Sequence, residues 1–260
     1  MAKIDHIIEN GILKEYRGSF VNISIPEGVI EVKNDTFEMF VDRKEIKTVH
    51  LPKSLIKIPQ FQHCSNLSEV TVGDDPDVNE LTNWENSIKA IDPYTFRYTG
   101  LEWFYLPGNV EEIGEYAFAD CPNLRIGIGG NEIKKIGKYA FQNSGIPKFY
   151  LFESTVETIE EGAFSNCKNL RIVFLGNGIK KISAYAFANC VNIHEIFLPK
   201  SLEIIEKDAF IGCKNLIVYA ETQSPPVGWI NTKKDKWNPE DALVFYGVEP
   251  PPFILSDMLS

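Results

Sequence analysis

Apolar residues recur along this chain at a spacing far longer than the period of a single helix or strand. Between residues 118 and 210, a phenylalanine that follows an alanine returns every 23 residues. An apolar pair spaced by three precedes each of these phenylalanines, and a β-rich run follows. The series comprises Phe118, Phe141, Phe164, Phe187 and Phe210. Such a period predicts a solenoid, because units this small bury their apolar faces only by stacking on one another.

The same pattern extends upstream with one interruption. Phe96 precedes Phe118 by 22 residues and Phe37 precedes Phe61 by 24, whereas 35 residues separate Phe61 from Phe96. The runs EVTV, WFYL, KFYL, IVFL and EIFL are typical of β-strands. We therefore expect eight repeats, each with one strand and one short helical or 3-10 turn, in an α/β solenoid with one parallel sheet.

A four-residue motif follows most of the repeat phenylalanines. It reads CSNL, CPNL, CKNL or CVNI, and the whole unit approximates L-x-x-I-x-I-P-x-x-V-x-x-I-G-x-x-A-F-x-x-C-x-N. From about residue 20 to residue 220 this pattern resembles the BspA-like leucine-rich repeat family of the Treponema pallidum type. The resemblance implies a leucine-rich-repeat right-handed superhelix, and it implies binding because some relatives are surface adhesins.

Both ends of the repeat array carry segments that differ from the repeats. Asn10-Gly11 lies between apolar alternations, which predicts a β-hairpin. Trp229 and Trp237 lie in a closing segment that would cover the last coil, since an open solenoid end exposes its core. Three regions are expected: an N-terminal capping hairpin at 1–20, repeats at 21–220 and a C-terminal cap and tail at 221–260.

All five cysteines occupy one position of the repeat. Each follows a repeat phenylalanine by three residues, and Thr99 and Ser144 take that place where cysteine is absent. A position that accepts Cys, Ser or Thr favours a small side chain packed in a tight turn, rather than a disulfide or a zinc ligand. The odd count also indicates a reducing compartment. The cysteines are Cys64, Cys121, Cys167, Cys190 and Cys213.

Composition limits the partners and the location of the protein. The 260-residue chain is 44% apolar, carries a formal net charge of −10 and has a pI near 5.0. Nucleic acids and anionic membranes require clustered Lys and Arg, so neither is an expected partner. No apolar run is long enough for membrane insertion. The N-terminus lacks a signal peptide, which predicts a cytoplasmic protein, or a cell-surface or secreted one if a leader was removed.

No set of residues indicates catalysis, a cofactor or a metal. The four histidines occupy different positions of the repeat, and no nucleophile or phosphate-loop motif is present. Asp75-x-Asp77-x-Asn79 imitates the start of a calcium loop, but Glu80 stands where that loop needs glycine and Asn86 where it needs glutamate. A solvated acidic loop is the favoured interpretation, with calcium as the alternative.

Paired carboxylates raise the question of glycoside hydrolysis. Acidic and basic residues alternate from repeat to repeat, as in Glu111-Glu112, Lys134-Lys135 and Glu157. Charges of opposite sign would then stack on neighbouring coils, where like charges would repel. This pattern accounts for the carboxylates without catalysis, and we expect no enzymatic activity.

Apolar residues occupy the strand positions that should face solvent. Alternation along each strand buries one face and exposes the other, and in relatives the exposed positions are usually Thr, Ser or Lys. We name the apolar set on this face the aromatic band and predict that it is contiguous and binds a protein partner. Self-association into a homo-oligomer, stacking that only stabilises the sheet, and a carbohydrate-binding or carbohydrate-active surface are the alternatives. The band comprises Trp103, Tyr105, Tyr150, Ile172, Phe174 and Phe197.

Two segments depart from the regular repeat. In LRIGIGG, the regular phase exposes Ile126 and Ile128, whereas a slip of one residue would turn both inward. The acidic insertion at 73–87 emerges on one face of the solenoid and is a candidate specificity element. Trp84 within it would either pin the loop to the solenoid or extend the aromatic band.

Overall fold

The chain folds into a β-solenoid in which every regular coil repeats the same three parts. The computed structural model describes residues 6–33, 36, 43–73, 87–128, 133–151, 155–229 and 242–249. A coil contains a long strand of up to four residues, a two-residue strand and a segment of tight turns. Phe37, most of the 73–87 insertion including Trp84, and Trp237 lie outside the described residues.

The long strands stack in parallel into two five-stranded sheets. The first main sheet has the order β10-β8-β6-β5-β3, and the second main sheet has the order β12-β14-β16-β18-β20. Their bounds are β3 (Asn22–Ser24), β5 (Thr48–Leu51), β6 (Glu69–Val72), β8 (Trp103–Leu106), β10 (Arg125–Ile128), β12 (Lys148–Leu151), β14 (Ile172–Leu175), β16 (Glu195–Leu198), β18 (Ile217–Ala220) and β20 (Leu243–Tyr246).

The expectation of one continuous parallel sheet is therefore wrong, and Pro147 explains the break. At this position of the repeat, most residues donate their backbone N–H to the preceding coil, as Arg125 does to the Glu102 oxygen at 2.7 Å. Arg171 donates to the Pro147 oxygen at 2.9 Å. Proline has no N–H to continue this series toward Arg125. Between β10 and β12 the described residues accordingly form no ladder.

A third sheet runs continuously along the solenoid and bridges that break. Its seven strands are parallel and two residues long, and each buries its second residue. We call it the short-strand sheet. Its members are β7 (Ala90–Ile91), β9 (Glu112–Ile113), β11 (Lys135–Ile136), β13 (Thr158–Ile159), β15 (Lys181–Ile182), β17 (Ile204–Ile205) and β19 (Gly228–Trp229).

The N-terminal end is closed by a small sheet built on a hairpin. β1 (Ile7–Glu9) and β2 (Ile12–Glu15) pair antiparallel, and β2 pairs in parallel with β4 (Glu31–Val32). Asn10 and Gly11 both adopt the left-handed region, with φ of 50° and 76°. This is the conformation that a two-residue hairpin turn requires, and Asn and Gly adopt it at the lowest cost.

The turn segments are not the short helices that the repeat pattern suggested. The described residues contain one 3-10 turn, Arg43–Glu45, and it belongs to an early coil. Elsewhere left-handed residues interrupt the turns, as at Tyr116 and Asp120, with φ of 53° and 59°. Alternate residues donate to the next coil, as Phe118 does to the Ala140 oxygen at 2.8 Å. These turns thus form a further ladder between coils, which a helix with internal hydrogen bonds could not provide.

A column of stacked phenylalanine rings forms the centre of the core. Consecutive rings lie 5.2–6.1 Å apart between centroids, with nearly parallel planes. All members are fully buried. The column contains Phe61, Phe96, Phe118, Phe141, Phe164, Phe187 and Phe210. The 23-residue period thus places equivalent rings in contact from coil to coil.

The cysteines form a second buried column beside the phenylalanines. Four of the thiols, those of Cys121, Cys167, Cys190 and Cys213, donate to the carbonyl of a phenylalanine one coil earlier, as Cys121 does to Phe96 and Cys167 to Phe141, both at 3.0 Å. The Ser144 hydroxyl lies 3.4 Å from the Cys167 Sγ. All five cysteines are free and buried, so their role is the packing that the shared repeat position predicts.

We expect the five thiols to react with a thiol-specific disulfide reagent only when the protein unfolds. Burial raises the pKa of the Cys213 thiol to about 12 and that of Cys121 to about 11. The thiolate is the reactive form, so both inaccessibility and protonation protect these groups. Labelling in buffer and in denaturant, followed by mass measurement, tests this. Rapid labelling of the folded protein would contradict it.

Opposite charges lie on neighbouring coils, as the alternating repeats predicted. Lysine Nζ atoms approach carboxylate oxygens of adjacent coils within 2.5–3.1 Å. The side chains are largely exposed, so each pair contributes little to stability. The pairs are Lys134–Glu111, Lys135–Glu112, Lys138–Glu161 and Lys180–Glu157. These carboxylates are therefore engaged in pairing between coils.

Trp229 is buried in the last strand of the short-strand sheet. Its side chain is 4% exposed, and its indole N–H donates to the Leu202 oxygen at 3.3 Å. β19, which contains it, pairs with β17 and extends the short-strand sheet. This residue thus contacts the coil that contains Leu202, and the C-terminal cap at 221–260 stays a prediction.

Candidate interaction surface

The outer faces of the two main sheets carry the residues predicted to bind a partner. Along β8, Phe104 and Leu106 are buried, whereas Trp103 is 47% exposed and Tyr105 is half-buried. The same alternation holds in β12 and β14. Strand alternation thus assigned the outward positions correctly.

Strand β10 follows the alternative register rather than the regular one. Ile126 aligns with Phe104, and Arg125 aligns with Trp103. Ile126 packs against the core, which is the result of the one-residue slip. A regular phase would have placed Gly127 inward and left a void. Burial of the isoleucine therefore determines the register.

The slip brings a charged side chain onto the outer face beside an aromatic ring. The Arg125 guanidinium carbon lies 5.4 Å from the centroid of the Trp103 ring. The Trp103 and Tyr105 rings are nearly parallel, with centroids 6.5 Å apart. This end of the outer face is therefore partly polar.

The aromatic band is not contiguous, contrary to expectation. Trp103 and Tyr105 belong to β8 in the first main sheet, and the other members belong to β12, β14 and β16 in the second. Strand β10, with Arg125 at the position equivalent to Trp103, lies between the two groups. The six predicted residues therefore form two separate surfaces.

Phe197 is also buried more deeply than predicted. It points to the outer face, but it is only 2% exposed. In the ladder it is aligned with Phe174 on one side and Tyr219 on the other, and the Phe174 ring is stacked on it with centroids 5.8 Å apart. Phe197 therefore supports the surface and offers almost no area of its own to a partner.

The surface on the second main sheet extends beyond the predicted residues. Strands β18 and β20 continue the register, so that one outward aromatic residue from each strand lies in a row. Leu243 and Phe245 on β20 are 59% and 48% exposed. We call this row the outer ladder: Tyr150, Phe174, Phe197, Tyr219 and Phe245. Aligning the closing segment IVYA and the strand LVFY with the repeats would have revealed the last two members.

A second aromatic feature, on the turn segments, was missed by the sequence interpretation. The rings of Tyr94, Tyr116 and Tyr139 are stacked, with centroid distances of 5.4 and 5.0 Å. The Arg97 guanidinium lies 4.6 Å from the Tyr116 centroid and bonds the Asp120 carboxylate at 3.2 Å. The available signal was the recurrence of tyrosine two residues before the phenylalanine in four repeats, those of Phe96, Phe118, Phe141 and Phe187.

This tyrosine stack ends in a hydrogen-bonded cluster. The Tyr139 hydroxyl donates to Glu161 at 2.6 Å, and that carboxylate raises the pKa of Tyr139 to about 12. The bond from Tyr139, followed by that from Lys138, lowers the pKa of the Glu161 carboxyl. In the next coil, the position equivalent to Tyr139 is Gly162, and a Cβ there would lie 2.2 Å from the Tyr139 ring. The stack is thus internally satisfied, which indicates a structural role.

Neither metal binding nor membrane insertion is indicated by the described residues. No group of three or more His, Cys, Asp or Glu side chains among them could hold a metal ion. No helix in this part of the chain has the length and apolarity to cross a bilayer. The acidic segment with Asp75, Asp77 and Asn79 lies outside the described residues, so the calcium alternative stays untested.

These features define the class of the protein: a leucine-rich-repeat β-solenoid. Its sequence matches the model of the BspA type leucine rich repeat region, in six copies, over residues 7–85 and 89–217. The chain therefore belongs to the BspA-type leucine-rich repeat family. It is a leucine-rich repeat scaffold, and its family resemblance in sequence is confirmed.

Two solved structures have the same fold. A leucine-rich repeat protein from Bacteroides ovatus is 17% identical, with a TM-score of 0.59, over 85% of this chain and 64% of that one. The leucine-rich repeat protein of T. pallidum is 23% identical, with a TM-score of 0.56, over 70% of this chain and 82% of that one. The chain thus spans under two thirds of the B. ovatus protein. No curated protein matches it.

Proposed function

We propose that this protein is a non-catalytic scaffold that binds a protein partner through the outer face of the second main sheet. The observation that supports this most directly is the outer ladder, which places aromatic side chains in a row across five strands. Beside it, Ile172, Ile217 and Leu243 add apolar side chains from the neighbouring outward positions. Relatives of the family usually carry polar residues at the outward positions.

The chemistry of this surface favours a protein over a small molecule. The surface is a sheet rather than an enclosed pocket, and its exposed area increases toward β20, where Leu243 and Phe245 lie. Aromatic residues contribute disproportionately to binding energy when a partner excludes water from them. Lys148 and Glu195 lie on the same face and would contribute polar contacts at the rim. A second copy of the chain is the alternative partner.

We expect two double variants, Ile172→Ser/Phe174→Ser and Leu243→Ser/Phe245→Ser, to lose the partner. Affinity capture from cells of the source organism, with wild type and variants immobilised in parallel, measures this. Loss of apolar anchors of this kind reduces affinity by at least about tenfold. Sedimentation of each protein alone determines whether the partner is a second copy.

Tyr185→Ser provides the matched control. Tyr185 is 44% exposed and lies on the turn segments, away from the main sheets. This variant should retain every partner that wild type captures. If the double variants, folded by circular dichroism, capture the same proteins as wild type, the proposed function is wrong.

A further inference from the structure

An open groove lies where the two main sheets separate. Its volume is about 410 Å³, and it is located at the turns that lead into β8, β10 and β12. Most of its side chains are exposed, and Gly145 forms a buried part of its floor. The groove is lined by Glu102, Trp103, Pro122, Asn123, Arg125, Gly145 and Asn169. It has the size of a small-ligand site.

A missing residue produces this groove. Regular coils turn with the four residues Cys-x-Asn-Leu, but here the turn is the three residues Ser144-Gly145-Ile146. The shorter turn runs so close to the preceding coil that a Cβ on Gly145 would lie 2.0 Å from the Pro122 oxygen. The side chain that would separate Asn123 from Asn169 is therefore absent.

The short turns also leave the side-chain amides of Asn123 and Asn169 without the backbone acceptor that regular coils provide. In regular coils, the motif asparagine bonds a backbone oxygen of the preceding turn, as Asn192 does to Lys168 at 2.6 Å. The residue that would supply this oxygen is missing before Asn123 and before Asn169. Within the described residues, neither side-chain amide makes a hydrogen bond. Both amides are thus able to donate and accept toward a ligand.

The remaining walls add one aromatic ring and two opposite charges. Trp103 exposes 47% of its surface, and the register slip places the Arg125 guanidinium over it. Glu102, which precedes Trp103 in the chain, is exposed and also lines the groove. Together these side chains line the groove with donors and acceptors and no net charge, and the exposed Trp103 ring lies beside this mainly polar surface.

We propose that this groove binds a neutral oligosaccharide. Sugar hydroxyls both donate and accept hydrogen bonds, which suits two carboxamides beside a carboxylate and a guanidinium. The apolar C–H face of a sugar ring packs on an indole, whose body is apolar while its N–H remains polar. An anionic ligand would meet Glu102, and a purely apolar ligand would leave the amides unsatisfied. A peptide carboxylate held by Arg125 is the competing ligand.

This site is distinct from the protein-binding surface. It uses Trp103 on the first main sheet, whereas the proposed partner surface lies on the second. The serine variants of the outer ladder should leave oligosaccharide binding unchanged. Failure of either proposal therefore leaves the other standing.

Titration with neutral trisaccharides, monitored by the indole N–H resonances, tests the proposal. Chitotriose, maltotriose, cellotriose, xylotriose and mannotriose are the probes, and Trp103→Phe assigns the Trp103 resonance. At least one trisaccharide should shift that resonance saturably at millimolar concentration. Trp103→Ala should weaken binding by at least about tenfold, and Asn123→Ala/Asn169→Ala should weaken it similarly.

Asn192→Ala is the matched control for the asparagine variants. It removes the same side chain at the same repeat position, but outside the groove, so binding should be unchanged. The proposal is overturned if no trisaccharide shifts the Trp103 resonance. It is also overturned if the binding survives Asn123→Ala/Asn169→Ala, or if an acetylated tripeptide with a free carboxylate binds while the sugars do not.

Discussion

Replacement of Phe141 by alanine is expected to lower the free energy of unfolding by about 4 kcal/mol. The Phe141 ring is fully buried between Phe118 and Phe164, with centroid distances of 5.4 and 5.3 Å. It also contacts Phe149 on β12, at 5.9 Å. Alanine would leave a cavity that rigid neighbouring coils cannot fill, and it would weaken the contact with both adjacent coils.

Urea unfolding, followed by circular dichroism, measures this loss. In a solenoid, stability is approximately a sum of repeat terms and nearest-neighbour contacts, so a central defect also reduces cooperativity. We therefore expect a broader transition as well as a lower midpoint. Tyr185→Ala, which removes an exposed ring, should change the free energy by less than about 1 kcal/mol. Equal losses for the two variants would contradict the central role of the column.

The regular part of this fold was predictable from the sequence because each regular coil meets the same environment. The 23-residue spacing of Phe118, Phe141 and Phe164 requires only that equivalent positions stack. The alternation of Glu111, Lys134 and Glu157 follows from the same stacking. The 23-residue period and the alternation of charge were therefore sufficient to predict the repeat architecture, the core and the ion pairs between coils.

The irregular part was not predictable because it depends on single residues acting against the repeat. Pro147 interrupts the long-strand ladder by lacking one N–H, which a repeat average conceals. The register of β10, for which the sequence leaves two alternatives, depends on the preference of Ile126 for the core over the regular phase. Likewise, tyrosines with positive φ, such as Tyr116, are unusual, so the pattern suggested helical turns where alternating hydrogen bonds occur.

The candidate surface was only partly predictable, because it combines regular strand positions with the irregular ones. Alternation placed Trp103 and Phe174 on the outer face, but it gave no information on the depth of Phe197 within its ladder. It also could not separate the band into two groups, because the break lies at β10. Phe245 was missed because the closing strand was treated as a cap rather than as a continuation of the sheet.

The irregular coils and the proposed binding groove coincide. The short turn at Ser144, the slip in β10 and Pro147 lie within one region, and each weakens the regular hydrogen bonding. Regular coils would have satisfied the amides of Asn123 and Asn169 internally. Departures from local regularity are expected where a protein retains a function that costs stability. This supports the groove as a site rather than a packing defect.

Gly145→Ala is expected to destabilise the protein by about 3 kcal/mol. The new Cβ would lie 2.0 Å from the Pro122 oxygen and 2.7 Å from its carbonyl carbon. Both are backbone atoms, so the clash is relieved only by moving one coil away from the other. That movement would stretch the hydrogen bond from the Gly145 N–H to the Cys121 oxygen, now 2.9 Å.

Gly28→Ala separates this steric effect from a general effect of replacing glycine. Gly28 has φ of +85°, and a Cβ there would meet no atom within 4 Å. Gly28→Ala should therefore lower the free energy of unfolding by about 1 kcal/mol, from backbone strain alone. Gly100→Ala, in the other short turn, should resemble Gly145→Ala because its Cβ would lie 2.5 Å from the Ser65 oxygen. Urea unfolding of the three variants measures the free energy of unfolding that each one loses. If Gly145→Ala loses no more stability than Gly28→Ala, close approach of the coils at the short turn is not what requires glycine there.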